Sequence, residues 1–142
     1  AQVTMFKVIT EKWVENGSNR KWYIVDGSFM NDLPDTWTIH QQWHVIPANH
    51  MNSRSNQRTW LAGSSCDSDD KYTAQGNYIL LPKLVEDEDQ YVVFLDTGAY
   101  QDSLGARHCM LANPLKIIAH NGEIKVAAKR LTAEELGKQF GW

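Results

Sequence analysis

A chain of 142 residues, 42% of them hydrophobic and 22% charged, has the size and composition of one soluble globular domain. Fourteen lysines and arginines against seventeen acidic residues leave a net charge of −3, which argues against a general binder of nucleic acid or anionic membrane. Two cysteines cannot make a disulfide framework, so a reducing, cytoplasmic compartment is expected, and no apolar run approaches the roughly 20 residues of a membrane span.

Short β-branched and aromatic runs, each closed by turn chemistry, dominate the chain. Val3–Ile9 and Trp22–Val25 flank Asn16-Gly17 and predict a hairpin with a long connection. Asp26-Gly27 stops the second run, and Leu33-Pro34-Asp35 opens an irregular segment that ends at His44-Val45-Ile46-Pro47. Polar, Asn- and Ser-rich Ala48–Gln57 reads as a surface loop. Further strands are expected at Arg58–Ala62, at Tyr78–Leu81 before Pro82, and at Tyr91–Leu95, which is apolar throughout and expected to be buried on both faces. Glu86–Asp89 is a solvated acidic turn. Leu115–Ala119, Asn121-Gly122 and Ile124–Ala128 carry the strongest hairpin signal in the chain. Only the end reads as helix: Thr132 and Glu135 form a capping box for a segment over Thr132–Phe140. The expected fold is mainly β, with seven or eight strands in a Greek-key barrel or sandwich, one short C-terminal helix, and a single domain over residues 1–142.

His40 and His44 have the H-x-x-x-H spacing of zinc hydrolases, with His50 nearby. Gln41 stands where the general-base Glu belongs, and the segment lacks helix character, so no metal site is expected. Cys66-Asp67-Ser68-Asp69-Asp70 has the Asp-x-Asp of a calcium loop without its Gly or distal Glu. It reads either as a polar turn or as a cysteine placed to donate a proton or attack, beside carboxylates that could hold a cation. Gly98-Ala99-Tyr100 follows the strand at Tyr91–Leu95. Its Gly permits unusual backbone angles, and its phenol could meet an anion such as phosphate.

Taken in order, Gly27–Trp37 (G-S-F-M-N-D-L-P-D-T-W), Cys66–Asp69 (C-D-S-D) and Gly98–Gly105 (G-A-Y-Q-D-S-L-G) with His108 resemble the C-terminal β-domain of pyridoxal-phosphate-dependent ornithine, diaminopimelate and arginine decarboxylases of alanine-racemase-type fold. The similarity is greatest to biosynthetic arginine decarboxylase and runs from about Trp22 to Leu111. It implies a dimer-forming, substrate-binding domain that shares its active site with a barrel, whose lysine holds pyridoxal phosphate as a Schiff base. Cys66 then matches the proton donor that acts after decarboxylation. Asp67, assisted by Asp69, matches the anchor of a cationic amino-acid substrate, and Tyr100 matches a contact to the cofactor phosphate. The expected partners are that barrel, in a homo- or hetero-oligomer, and a basic amino acid, with no nucleic acid and no membrane. His108-Cys109-Met110-Leu111-Ala112 departs from the arginine enzymes' pattern. No lysine stands in a Schiff-base context, so the chain alone is not expected to decarboxylate. The start at Ala1-Gln2-Val3 favours a cut or processed chain. The alternative reading is a non-catalytic, stand-alone β-domain that binds or regulates a decarboxylase.

Overall fold

The structure, a computed structural model, describes residues 1–15 and 18–142, so the expected turn at Asn16-Gly17 lies outside the described residues. Among the described residues nine strands form: β1 (Thr4–Trp13), β2 (Lys21–Val25), β3 (Val45–Pro47), β4 (Asn56–Ala62), β5 (Lys71–Tyr72), β6 (Ile79–Pro82), β7 (Gln90–Phe94), β8 (Lys116–His120) and β9 (Glu123–Ala128). The first seven make one sheet in the order β3-β7-β1-β2-β4-β5, with β6 also on β4. Because β3 lies against β6, the sheet curls nearly into a closed barrel. No helix of the described residues is long and apolar enough to cross a membrane.

Alternation packs the barrel. In β7, Val92 and Phe94 are wholly buried while Tyr91 and Val93 are half-covered, so this strand is buried on one face rather than on both as expected. The reason is geometric: successive side chains point to opposite faces, and only one face of this sheet meets the core. Phe6, Phe29, Tyr72 and Phe94 cluster there with ring centroids 5.3–5.7 Å apart in four of their pairings, mostly edge to face. Trp22 and Trp60 lie outside this core, their rings 5.2 Å apart and tilted by 56° as directly paired residues of β2 and β4.

Most pairs are antiparallel, but β2 and β4 run parallel, with Lys21 beside Thr59 and Ile24 beside Ala62. β1 is antiparallel to both β2 and β7. Strands β2, β4 and β7 therefore all point the same way, and the segments that follow them leave the barrel at one end. This single fact of topology places the three motif segments side by side.

Three one-turn helices were not expected: α1 (Phe29–Asp32), α2 (Asp35–Thr38) and α3 (Gln101–Leu104). Four residues are too few to show a helical hydrophobic period, so tertiary contacts decide them. The C-terminal helix α4 (Ala133–Lys138) is shorter than the expected Thr132–Phe140 but keeps its capping box, with Thr132 Oγ1 accepting from Glu135 N at 3.2 Å and Glu135 Oε2 from Thr132 N at 2.8 Å. Thr132→Ala should loosen this helix by about 1 kcal/mol, read as roughly fivefold faster hydrogen exchange at the Glu135 and Leu136 amides. The β8–β9 hairpin forms around Asn121 and Gly122, both at positive φ, as a two-residue type I′ turn requires. It stands apart from the barrel as its own two-stranded sheet, with Ile117, Ile118, Ile124 and Val126 exposed.

Candidate functional site

The segment after β2 is the hub of the site. Ser28 caps α1, its Oγ accepting from Asn31 N at 3.3 Å, while Asp32 Oδ2 accepts from Ser28 N at 2.9 Å. Gly27 allows this packing: a Cβ there would stand 2.3 Å from the Phe6 ring and 2.8 Å from Asp32 Oδ2. Burial pushes the Asp32 carboxyl up to about 6, against the opposing hydrogen bond from Ser28.

From this hub three ties reach the other two motifs. Phe29 N donates to Asp70 Oδ1 at 2.7 Å, and Ser65 N donates to Asp70 Oδ2 at 3.1 Å. Asp70 is buried, and it fills the space a Cβ on Gly63 would need, only 2.2 Å from its Oδ1. The Cys66 loop is thus folded round one buried carboxylate. Asn31 clamps the third segment by its backbone: His108 N donates to Asn31 Oδ1 at 2.7 Å, and Asn31 Nδ2 donates to His108 O at 3.1 Å. Gln101, buried at the start of α3, donates from Nε2 to Asp35 Oδ2 at 2.7 Å and accepts from Asp35 N at 3.2 Å.

Two dipeptides meet across this frame. Cys66 Sγ lies 3.5 Å from Cys109 Sγ, and His108 Nε2 lies 3.1 Å from Asp67 Oδ2. With its proton on Nε2, His108 donates to Asp67, while Asp67 Oδ1 accepts from Asp69 N at 2.8 Å. The thiol proton shared with Cys66 pushes Cys109 above its ordinary range. Cys109 and Met110 both hold left-handed backbone at φ 54° and 56°, a strained pair kept in place beside the clamp on His108.

The remaining candidates fall nearby with different neighbours. Asp69 is paired with Lys71 at 3.4 Å and lines a shallow cleft with Trp37, His40 and Tyr72. Tyr100 is 68% exposed at the start of α3, its ring open to solvent. Left-handed backbone falls on Tyr100, φ 66°, and on Asp96, φ 62°, on either side of Gly98, and not on Gly98 itself. His44 faces Asp96 at 4.0 Å and His50 faces Glu88 at 3.3 Å, while His40 lies in the cleft. No group of three or more metal-ligating side chains converges among the described residues.

Sequence reasoning assigned no site role to Asp70, Asn31, His108 or Cys109, although Asn31 and His108 stand in the motifs that carry the resemblance. Asp70 was hidden in a polar run, and the other three meet their partners only through separations of 41 to 77 residues. The one usable signal was that Cys109 is the only cysteine Cys66 could meet within the chain.

Loops at one end of the nearly closed β-barrel thus gather two thiols, a carboxylate and an imidazole. The family model described as pyridoxal-dependent decarboxylase, C-terminal sheet domain, matches residues 1–102, and the chain belongs to that family. Biosynthetic arginine decarboxylase of Geobacter sulfurreducens is 33% identical over 97 residues, and that of Geotalea daltonii 32% over 95. These matches cover 64% and 63% of this chain but only 15% of each relative. A crystal structure of diaminopimelate decarboxylase superposes with a TM-score of 0.81 at 27% identity, covering 97% of this chain and 33% of that one. The biosynthetic arginine decarboxylase of Campylobacter jejuni shares the fold, with a TM-score of 0.76 at 20% identity over 86% of this chain and 22% of its own. The chain therefore corresponds to one part of these decarboxylases. Cys66, Asp67, Asp69 and Tyr100 lie within the matched family segment, and His108 and Cys109 lie beyond it.

Proposed function

We propose that the chain is the substrate-binding, dimer-forming β-domain of a pyridoxal-phosphate-dependent decarboxylase acting on a basic, arginine-like amino acid. The observation that carries the reading is the meeting of all three motif segments at one end of the barrel, with Cys66 and Asp67 adjacent there. Exposed Cys66 offers an S–H that a substrate carbon can take up after losing CO₂. Asp67 keeps acceptor capacity on its carboxylate beyond the bonds from His108 and Asp69 N, so a guanidinium or ammonium can be held by a charge-assisted hydrogen bond. His108 fixes that carboxylate in place. Asp69, already paired with Lys71, adds negative charge nearby.

The residues present fit a minor share of the cofactor's binding. The exposed phenol of Tyr100 is suited to donate to a phosphate oxygen, and the remaining contacts belong to a barrel domain. When bound, pyridoxal phosphate supplies the electron sink for decarboxylation. The domain's own contribution is to hold a cation, deliver a proton and touch the phosphate.

The test is made in the enzyme that combines this domain with its pyridoxal-phosphate barrel. Cys66→Ala should lower kcat by about 10²- to 10⁴-fold with KM little changed. Asp67→Ala should raise KM for the basic amino acid by about 10- to 100-fold. If both variants turn over arginine, ornithine, lysine and diaminopimelate at the parent rates, the assigned roles are wrong. A chain that binds the barrel while its variants leave turnover unaltered would be a regulator instead.

A further inference from the structure

We propose that Cys66 and Cys109 form a reversible oxidation site, a dithiol that closes to an intramolecular disulfide when it meets a peroxide or a small disulfide oxidant. The two Sγ atoms are already 3.5 Å apart, although the residues are separated by 43 positions. Bond formation at about 2.05 Å needs an approach of roughly 1.5 Å, within the reach of side-chain rotation. Both thiols are exposed, so an oxidant can reach them. They are also the only two cysteines among these 142 residues, so within this sequence each has the other as its one possible partner.

Their closeness is built rather than incidental. Asn31 holds His108 by two backbone bonds, and His108 in turn bonds to Asp67. The residue next to each cysteine is therefore fixed to the opposite loop. The left-handed backbone of Cys109 completes the approach.

The chemistry balances. With a peroxide, the Cys66 sulfur attacks one oxygen, the O–O bond breaks, and the departing oxygen leaves as water with the thiol proton. This gives a sulfenic acid at Cys66. The Cys109 sulfur then attacks the Cys66 sulfur, the S–O bond breaks, and a second water leaves with the Cys109 proton. Two thiols lose two electrons, and one hydrogen peroxide becomes two waters. With glutathione disulfide, Cys66 displaces the first glutathione and Cys109 the second.

Closure would also consume the S–H that Cys66 offers as proton donor. That consequence rests on the function proposed above, whereas ring closure does not.

The experiment treats the reduced full chain with hydrogen peroxide, and separately with glutathione disulfide, then counts free thiols and maps peptides without reduction. The expected result is joint loss of both thiols in a monomer, one Cys66–Cys109 cross-linked peptide, and recovery of both thiols with dithiothreitol. In Cys109→Ser, glutathione disulfide should leave a stable single adduct on Cys66, because the resolving thiol is gone. Two glutathione adducts on one parent chain, or disulfides only between chains, would overturn the proposal. A decarboxylase assay of the cross-linked domain with its barrel separates the two readings. Retained turnover sinks the proton-donor role while the oxidation site stands, and a missing cross-link sinks the site whatever the turnover.

Discussion

Asp70→Ala should destabilise the protein by about 3 kcal/mol at neutral pH, seen as a lower urea midpoint with an unchanged slope. Asp70 is only 3% exposed, yet it lies in a run of acidic and polar residues that reads as surface. Its two oxygens separately accept the backbone N–H groups of Phe29 and Ser65, and the Phe29 bond is buried. Alanine leaves those donors unpaired, and an unsatisfied buried donor costs about 1–3 kcal/mol, more where the lost bond was charge-assisted. It also opens the space beneath Gly63, whose missing Cβ marks how tightly the carboxylate is seated. Asp70→Asn keeps one acceptor but turns an NH₂ group toward a donor, so roughly half the loss is expected. The Cys66 loop should lose order in both variants, visible as faster hydrogen exchange at Ser65 and Asp67. An Asp70→Ala protein as stable as the parent would show that the loop stands without its buried carboxylate.

That example marks the boundary of what could be read in the residues. Local chemistry was legible: Thr132 and Glu135 cap a helix, Asn121-Gly122 turns a hairpin, and each motif segment follows a strand. The mainly β architecture followed from the same short-range signals. Long-range pairing was not legible, because nothing in Lys21–Val25 announces a parallel neighbour at Asn56–Ala62. Yet this pairing, with the shared direction of β7, decides that three separate loops meet. The resemblance offered Cys66, Asp67, Asp69 and Tyr100 as candidates by motif order. Their supports, Asn31, Asp70 and Gln101, are polar residues whose burial depends on that tertiary meeting. The one-turn helices that carry Asn31 and Gln101 are likewise too short to have a period of their own.

Asp32 gives the second large effect, and its sign runs opposite to the usual carboxylate. Burial raises its folded pKa to about 6 from the ordinary 3.8, with the hydrogen bond from Ser28 and the charge of Arg130 opposing and the charges of Asp70 and Asp26 adding to the rise. Between those two values the folded state holds a proton that the unfolded state has released, so stability falls as pH rises through the window. Below the unfolded value both states are protonated and nothing is lost. Above about pH 6 the folded protein carries a charge on this half-buried carboxyl at a cost of up to roughly 3 kcal/mol, from 1.36 kcal/mol per pH unit. Asp32→Asn removes that cost and keeps an oxygen for Ser28 N, though the bond it accepts is weaker. The variant should therefore be more stable than the parent by about 2 kcal/mol near pH 7, and the difference should shrink towards zero or reverse near pH 4. Urea midpoints for both proteins at intervals from about pH 3 to about pH 8 measure it, since other titrating groups cancel in the comparison. A difference that stays flat across that range would mean that Asp32 ionises in the fold as easily as in water. Its partial burial beneath Gly27 would then leave the carboxylate well solvated.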